Sequence, residues 1–508
     1  MIRPDRANVA LVVAGGTNWP LPSCAAFGDV REGDAIAPSV FIIFRSCARR
    51  QNMASTEVQA ARPDQRSRPL AVLARWLPPW LVVAAASLGL GLRFFLFIRD
   101  YSVNVLYFDQ WGFLDPFFHG SPGFRELFFE QWGPHREGVG LIADKFLYPL
   151  TRWSVPAESY MIGACIFGAM LLALLLKRKL FGPLHFYDVV IPLLFLNLTQ
   201  FETLIGTPNP SYGGFPLLMI MFYCLALLQR DRLLRYSLVL LLNFLLIYTG
   251  FGFFMGSVTV GVFALECFWV SRRWTSGTAV LPFAGLLIAA LSLSSFFIHY
   301  KFWPAVPCFA VTPRYVSLYP EFMAGMFAYF IGPGGDKLPV IALGMAVLLA
   351  LVTMLGVNVL RLARDGQRVE QHLIGGVLLG YALLFSGNTA VGRVCLGLDA
   401  AFAPRYMTLL IPAFLAAYFY LVSHPWRGKR PLVLGLFTAL ILPRAVHNPP
   451  AAKRYAEGKR NWASCYVRTE DISYCDRRGN FEIYPYPQKV KLKQKLNYLK
   501  EHRLNLFR

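Results

Sequence analysis

The chain has 508 residues, 56% hydrophobic and only 16% charged, where an average soluble protein carries about 25% charged residues. A mean hydropathy of +0.44, with repeated apolar runs of roughly 18 or more residues, excludes a soluble globular fold and reads as a polytopic membrane protein. The formal charge of +21 does not point to nucleic acid, because the cations sit in short links between apolar runs and not on a base-reading helix.

Residues 1–52 lack the basic lead, apolar stretch and cleavage site of a signal peptide and show no sustained periodicity. They are expected to be disordered or a non-native extension, with Met53 the start and 53–77 a polar cytoplasmic lead. Hydropathy then places spans at 78–98, 159–176, 187–204, 214–229, 233–250, 252–270, 279–299, 338–360, 371–387, 405–424 and 431–444. With the N-terminus inside, the basic links Lys177-Arg178-Lys179, Arg230/Arg232/Arg235, Arg272-Arg273, Arg361/Arg364/Arg368 and Arg427/Lys429/Arg430 all face the cytoplasm, as the positive-inside rule requires. The stretch 321–332 is too short to cross and is expected as an interfacial or re-entrant helix. The expectation is an all-α polytopic fold of about eleven transmembrane helices over 78–444, with the C-terminus extracytoplasmic.

The first outer loop, 100–157, departs most from the apolar background. Asp109 stands just past the first span among Tyr107, Phe108 and Trp111; a half-desolvated aromatic setting raises a carboxylate towards the range of a general base. Pro134 is placed to open a helix with His135, Arg136 and Glu137 in its first turn, where unpaired N–H groups and a planar guanidinium favour a phosphate. Asp115, before Pro116, reads as a turn marker, and Asp144 and Lys145 as solvent- or headgroup-facing. Phe124, Leu127, Phe128 and Trp132, then Val139, Ile142, Phe146 and Leu150, recur at helical spacing and predict two short interfacial helices.

Later links add cations where the positive-inside bias predicts few. Arg393 and Arg405, in SGNTAVGRVCLGLDAAFAPRY, are further phosphate-binding candidates. Glu202, in TQFETLIGTPNPSYGG, is a secondary carboxylate candidate. Glu266 and Arg93, inside apolar runs, are expected to snorkel. Of nine cysteines, Cys165, Cys224 and Cys267 sit singly in apolar runs as packing residues. The tail, 445–508, is small and basic, its end a short helix expected against the membrane surface. Cys465 and Cys475 can pair there if the compartment is oxidising.

A first span followed by a long outer loop with an acid just past the membrane resembles the GT-C superfamily of polyprenyl-phosphate-dependent glycosyltransferases. More closely, FDQW followed by EQWGPHREGVGLI is similar to a group of bacterial membrane proteins with a D-x-W and an H-N-E-H-R-like run. Their later G-R…R-Y segment resembles Gly392-Arg393…Arg405-Tyr406, and their ending resembles NYLKEHRLNLF. The likeness covers roughly residues 78–508. It implies a membrane glycosyltransferase of the cytoplasmic (inner) membrane, working at its outer face with a polyprenyl-phosphate-sugar donor and a glycan, lipid or protein acceptor. Asp109 would be the base, and Arg136, Arg393 or Arg405 would hold the leaving phosphate. Many GT-C enzymes carry two adjacent acids in this loop, whereas Gln110 follows Asp109 here, so no metal or other cofactor is assigned. The alternatives are a lipid-linked glycan ligase or polymerase, and a non-enzymatic transporter or flippase of lipid-linked sugar.

Overall fold

A computed structural model describes residues 78–273, 280–302, 313–332, 338–365, 369–426 and 428–508. The expectations for 1–52 and 53–77, and for Arg368, Arg427 and the side chains of Arg272 and Arg273, lie outside the described residues. The apolar runs fold as helices. α1 is Pro79–Tyr101, with proline in its first turn, where a missing N–H leaves no bond unmade. After the first loop come α2 (Gly138–Thr151) and α3 (Val155–Phe181), the latter capped by the Ser154 hydroxyl accepting from the Ala157 N–H. Then follow α4 (Gly214–Leu227), α5 (Arg232–Ile247), α6 (Phe253–Arg273), α7 (Val280–Ser295), α8 (Leu318–Ile331), α9 (Leu338–Asp365), α10 (Glu370–Arg393), α11 (Met407–Ser423) and α12 (Arg430–Val446). The tail holds α13 (Pro450–Thr469), α14 (Ile472–Gly479) and α15 (Leu492–Glu501).

Among the described residues, seven helices are long and apolar enough to cross a membrane: α1, α3, α6, α9, α10, α11 and the stretch beginning with α12. The molecule is thus an all-α membrane protein, its described strands confined to one hairpin. α4, α5 and α7, at 14, 16 and 16 residues, fall short of the roughly 20 that a bilayer core requires.

Several expectations are corrected. The segment expected to span at 187–204 is not one continuous helix but a series of short pieces: Phe186–Val189, Val190–Phe195, Leu198–Gln200, a π-helical turn Glu202–Gly206, and Pro210–Tyr212. Pro192, Pro208 and Pro210 withhold donors, and side chains take over. Asn197 Oδ1 accepts from the Thr199 N–H at 3.1 Å, Gln200 Nε2 donates to Phe195 O at 2.6 Å, and Lys459 Nζ donates to Ile205 O and Gly206 O at 2.9 and 2.6 Å. Such backbone survives at membrane depth only when walled in by protein, and every residue from 190 to 211 except Glu202 is buried.

Of the two expectations for 321–332, an interfacial or a re-entrant helix, burial favours the second. α8 buries Phe322, Met326, Phe327, Phe330 and Ile331 against α9, α10 and α11. Glu266 and Arg93 both find partners within the protein. Glu266 is buried and accepts from the Tyr236 hydroxyl, and Arg93 donates to Ala445 O, Val446 O and His447 O, closing the C-terminus of α12.

The apolar side chains of the tail's closing helix are spent inside the protein. Leu492, Leu496 and Leu499 of α15 join Trp462, Tyr466, Cys475 and Ile483 in one core with Leu106, Trp111, Phe113 and Leu127 of the first loop. Lys495 crosses that core to Trp111 O and meets Asp115 at 2.5 Å, so Asp115 fastens the tail besides opening a turn. Cys465 and Cys475 form a disulfide joining α13 to α14.

Candidate functional site

The chain leaves α1, passes Phe108 at φ +52°, and enters the one-turn helix Gln110–Phe113 with Asp109 at its N-cap. A positive φ is uncommon for a bulky aromatic, and two bonds hold it. The Phe108 N–H donates to Ile483 O at 3.0 Å, and the Tyr107 N–H to Gln110 Oε1 at 3.0 Å. Gln110 is itself fully buried, donating from Nε2 to Glu158 Oε2 at 3.1 Å and Pro208 O at 3.0 Å. The residue standing where the resemblance expects a second acid is therefore the pin that fixes the first.

Arg405, in the turn before α11, brings Nη1 to 4.0 Å from Asp109 Oδ2 and 3.9 Å from Glu202 Oε1. These are charge contacts longer than hydrogen bonds, and about a third of each of the Arg405 and Asp109 side chains stays exposed. Glu202 opens the π-helical turn, a distortion often found at functional positions. Arg393 ends α10, half-buried, with no hydrogen-bond or ion-pair partner among the described residues. Burial raises the Asp109 carboxyl above its ordinary range, against the pull of Arg405 and Arg393. His135 is driven down to about 3, first by burial and then by Arg393, so it stays neutral; its ring packs 4.5 Å from that of Phe251. One carboxylate is thus poised to take a proton beside two guanidinium groups able to receive a phosphate.

Pro134 does not open a helix. Gln131–Trp132 and His135–Arg136 pair as an antiparallel hairpin, turned by Gly133 at φ +57° and Pro134, and α2 begins at Gly138. Arg136 consequently turns its guanidinium onto main-chain carbonyls. Its Nε donates to Phe296 O at 2.7 Å and its two terminal nitrogens to Phe129 O and Ile298 O. Three main-chain carbonyls fill its fork, so it braces the loop and presents no phosphate grip.

Glu137 is buried beneath the site, accepting from Asn209 Nδ2 at 2.7 Å. Burial pushes it up to about 8, against the pull of Tyr212 and Asn209; it is a positioning group carrying its proton at neutral pH. Asp144 does not face solvent: it is buried, its carboxyl raised by burial and by the nearby Glu158 and Glu137. Lys145 turns in to Pro122 O. Of the sequence candidates, then, Asp109, Glu202, His135, Arg393 and Arg405 converge, Glu137 supports them from below, and Arg136 stands apart.

The residues that sequence reasoning missed are the supports: Gln110, Tyr148, Glu158, Asn209 and Lys459. Tyr148 donates to Glu158 Oε2 at 2.7 Å. A carboxylate in the first turn of an apolar span, as Glu158 is, was the available signal, because an intramembrane acid needs partners. Nothing local marks Lys459, whose partners lie some 250 residues away. Among the described residues no group of three or more His, Cys, Asp or Glu is arranged to hold a metal ion. No family model, no curated protein and no solved structure matches this chain.

Proposed function

We propose that the chain is a membrane glycosyltransferase moving a sugar from a polyprenyl-phosphate donor to a glycan, lipid or protein acceptor. The observation that carries this reading is the approach of Arg405 to within 4.0 Å of Asp109, two residues nearly 300 positions apart, with Arg393 acting on the same carboxyl. Asp109 accepts the proton of the acceptor hydroxyl as its oxygen bonds to the sugar's anomeric carbon. The bond from that carbon to the phosphate oxygen breaks, and the phosphate leaves with the electron pair onto Arg405 and Arg393. The resemblance to GT-C enzymes in the first loop supports the same assignment.

In this reading the four shorter apolar segments, 186–212, α4, α5 and α7, complete a GT-C-like set of eleven crossings. The basic links face the cytoplasm, and the site faces the opposite side of the inner membrane. Transfer from labelled polyprenyl-phosphate sugars in reconstituted membranes tests it. Asp109→Asn should lower the rate by about 10²-fold or more while leaving the protein folded; wild-type rates in that variant would reject the assignment. Retained transfer in Asp109→Asn with loss in Arg393→Ala would instead mark a ligase or polymerase working from a lipid diphosphate. The broken, buried segment bearing Glu202 gives the transporter reading its one foothold, since transporter sites favour interrupted helices. Movement of labelled lipid-linked sugar across the bilayer without transfer would select it.

A further inference from the structure

After α14 the tail runs back over the first loop. Ile483 O takes the Phe108 N–H, Phe481 stacks on Tyr107 with ring centroids 5.1 Å apart, and Tyr484 stands 6.1 Å from Phe108. Burial, and after it the nearby Asp109 carboxylate, raises the Tyr484 phenol. The stretch FEIYPYP keeps Tyr484 half-buried and Tyr486 57% exposed. Lys489 Nζ lies 4.4 Å from the Tyr486 ring centroid, and Glu482, two residues before Tyr484, is exposed. The tail therefore adds to the Asp109 neighbourhood flat apolar surfaces with polar tips, fixed by a shared core and by the Cys465–Cys475 disulfide. Arg393 and Arg405 come from the helical bundle instead.

We propose that Tyr484 and Tyr486 form an acceptor subsite, taking the C–H face of a pyranose ring against their rings and so aiming one of its hydroxyls at Asp109. This rests on the sugar-transfer reading and assigns its acceptor as a neutral sugar. A pyranose has an apolar face with a polar rim, which an amphipathic phenol matches. Lys489 and Glu482 supply a donor and an acceptor for the rim hydroxyls.

The test uses the full chain in lipid nanodiscs and two probes measured separately. Neutral oligosaccharides of glucose, galactose, mannose and N-acetylglucosamine are followed by saturation-transfer NMR, and undecaprenyl phosphate by native mass spectrometry. At least one oligosaccharide should bind wild type. Tyr484→Ala should weaken that binding by about tenfold, the loss of one aromatic contact of roughly 1.4 kcal/mol, while Tyr484→Phe keeps most of it. Both variants should bind undecaprenyl phosphate as wild type does. Equal sugar binding in Tyr484→Ala at unchanged melting temperature, or no oligosaccharide binding to wild type, would overturn the subsite. Sugar binding that follows Tyr484 in a protein indifferent to undecaprenyl phosphate would uphold the subsite and remove the donor reading.

Discussion

A carboxyl group under the candidate site carries a pH dependence whose sign is fixed. Glu137 is pushed up to about 8 by burial, whereas an unfolded glutamate titrates near 4.3. Between those values the folded chain keeps a proton that the unfolded chain has released. Its contribution to stability is therefore fully present below about pH 4.3 and is lost as pH rises towards about 8, at about 1.4 kcal/mol per pH unit for one proton. Glu137→Gln keeps the shape of the neutral acid and removes the titration. Melting curves in detergent should show this slope in wild type and a flatter one in Glu137→Gln; an identical slope would mean that the group is ionised in the folded chain. At the same scale, chemical type made Asp109, Glu202, Arg393 and Arg405 legible, because ionisable groups at the ends of apolar runs are rare. Arg136 was misread because a loop guanidinium gives no sign of which carbonyls it will meet.

At the scale of elements, long apolar runs were legible as helices and the interruptions were not. Pro134 satisfies the first turn of a helix and the turn of a hairpin equally well, and only the positive φ of Gly133 decides between them. The 187–204 run has the hydropathy of a span; what breaks it is the company of Pro192, Asn197, Pro208 and Pro210, with distant side chains ready to bond the freed backbone. For α8, length left an interfacial and a re-entrant helix both open. Its buried face is completed by α9, which approaches so closely that a Cβ on Gly344 would lie 1.9 Å from Ala324 O. Small residues permit such contacts between membrane helices. Gly344→Ala should therefore lower the yield of folded protein and its melting temperature. Gly356→Ala, on the same helix with nothing within 4 Å, should be neutral or stabilising by up to about 1 kcal/mol. Equal effects at both positions would show that the α8–α9 approach is looser than described.

Over the whole molecule the two ends of the helices differ in chemistry. At one end Lys177 meets Asp188 at 2.8 Å, Asp188 accepts from the Tyr418 hydroxyl at 2.5 Å, and Gln371 Nε2 donates to Leu180 O at 3.0 Å, so α3, α10 and α11 share that end with the basic links. At the other, the first loop and the tail form a single core around Asp109. The orientation proposed above puts the first end in the cytoplasm, on the positive-inside bias, and the second in an oxidising compartment, where the tail's disulfide would persist. One argument is from charge and the other from redox chemistry, and both favour the proposed orientation. They predict that Lys489→Cys, exposed in the tail, is labelled in sealed cells by a membrane-impermeant maleimide, while Lys429→Cys, exposed before α12, is labelled only after permeabilisation. The reverse pattern would invert the orientation and turn the site towards the cytoplasm. Labelling of both in sealed cells would separate the ends differently from the fold described, because α12 is the one apolar helix between position 429 and the tail.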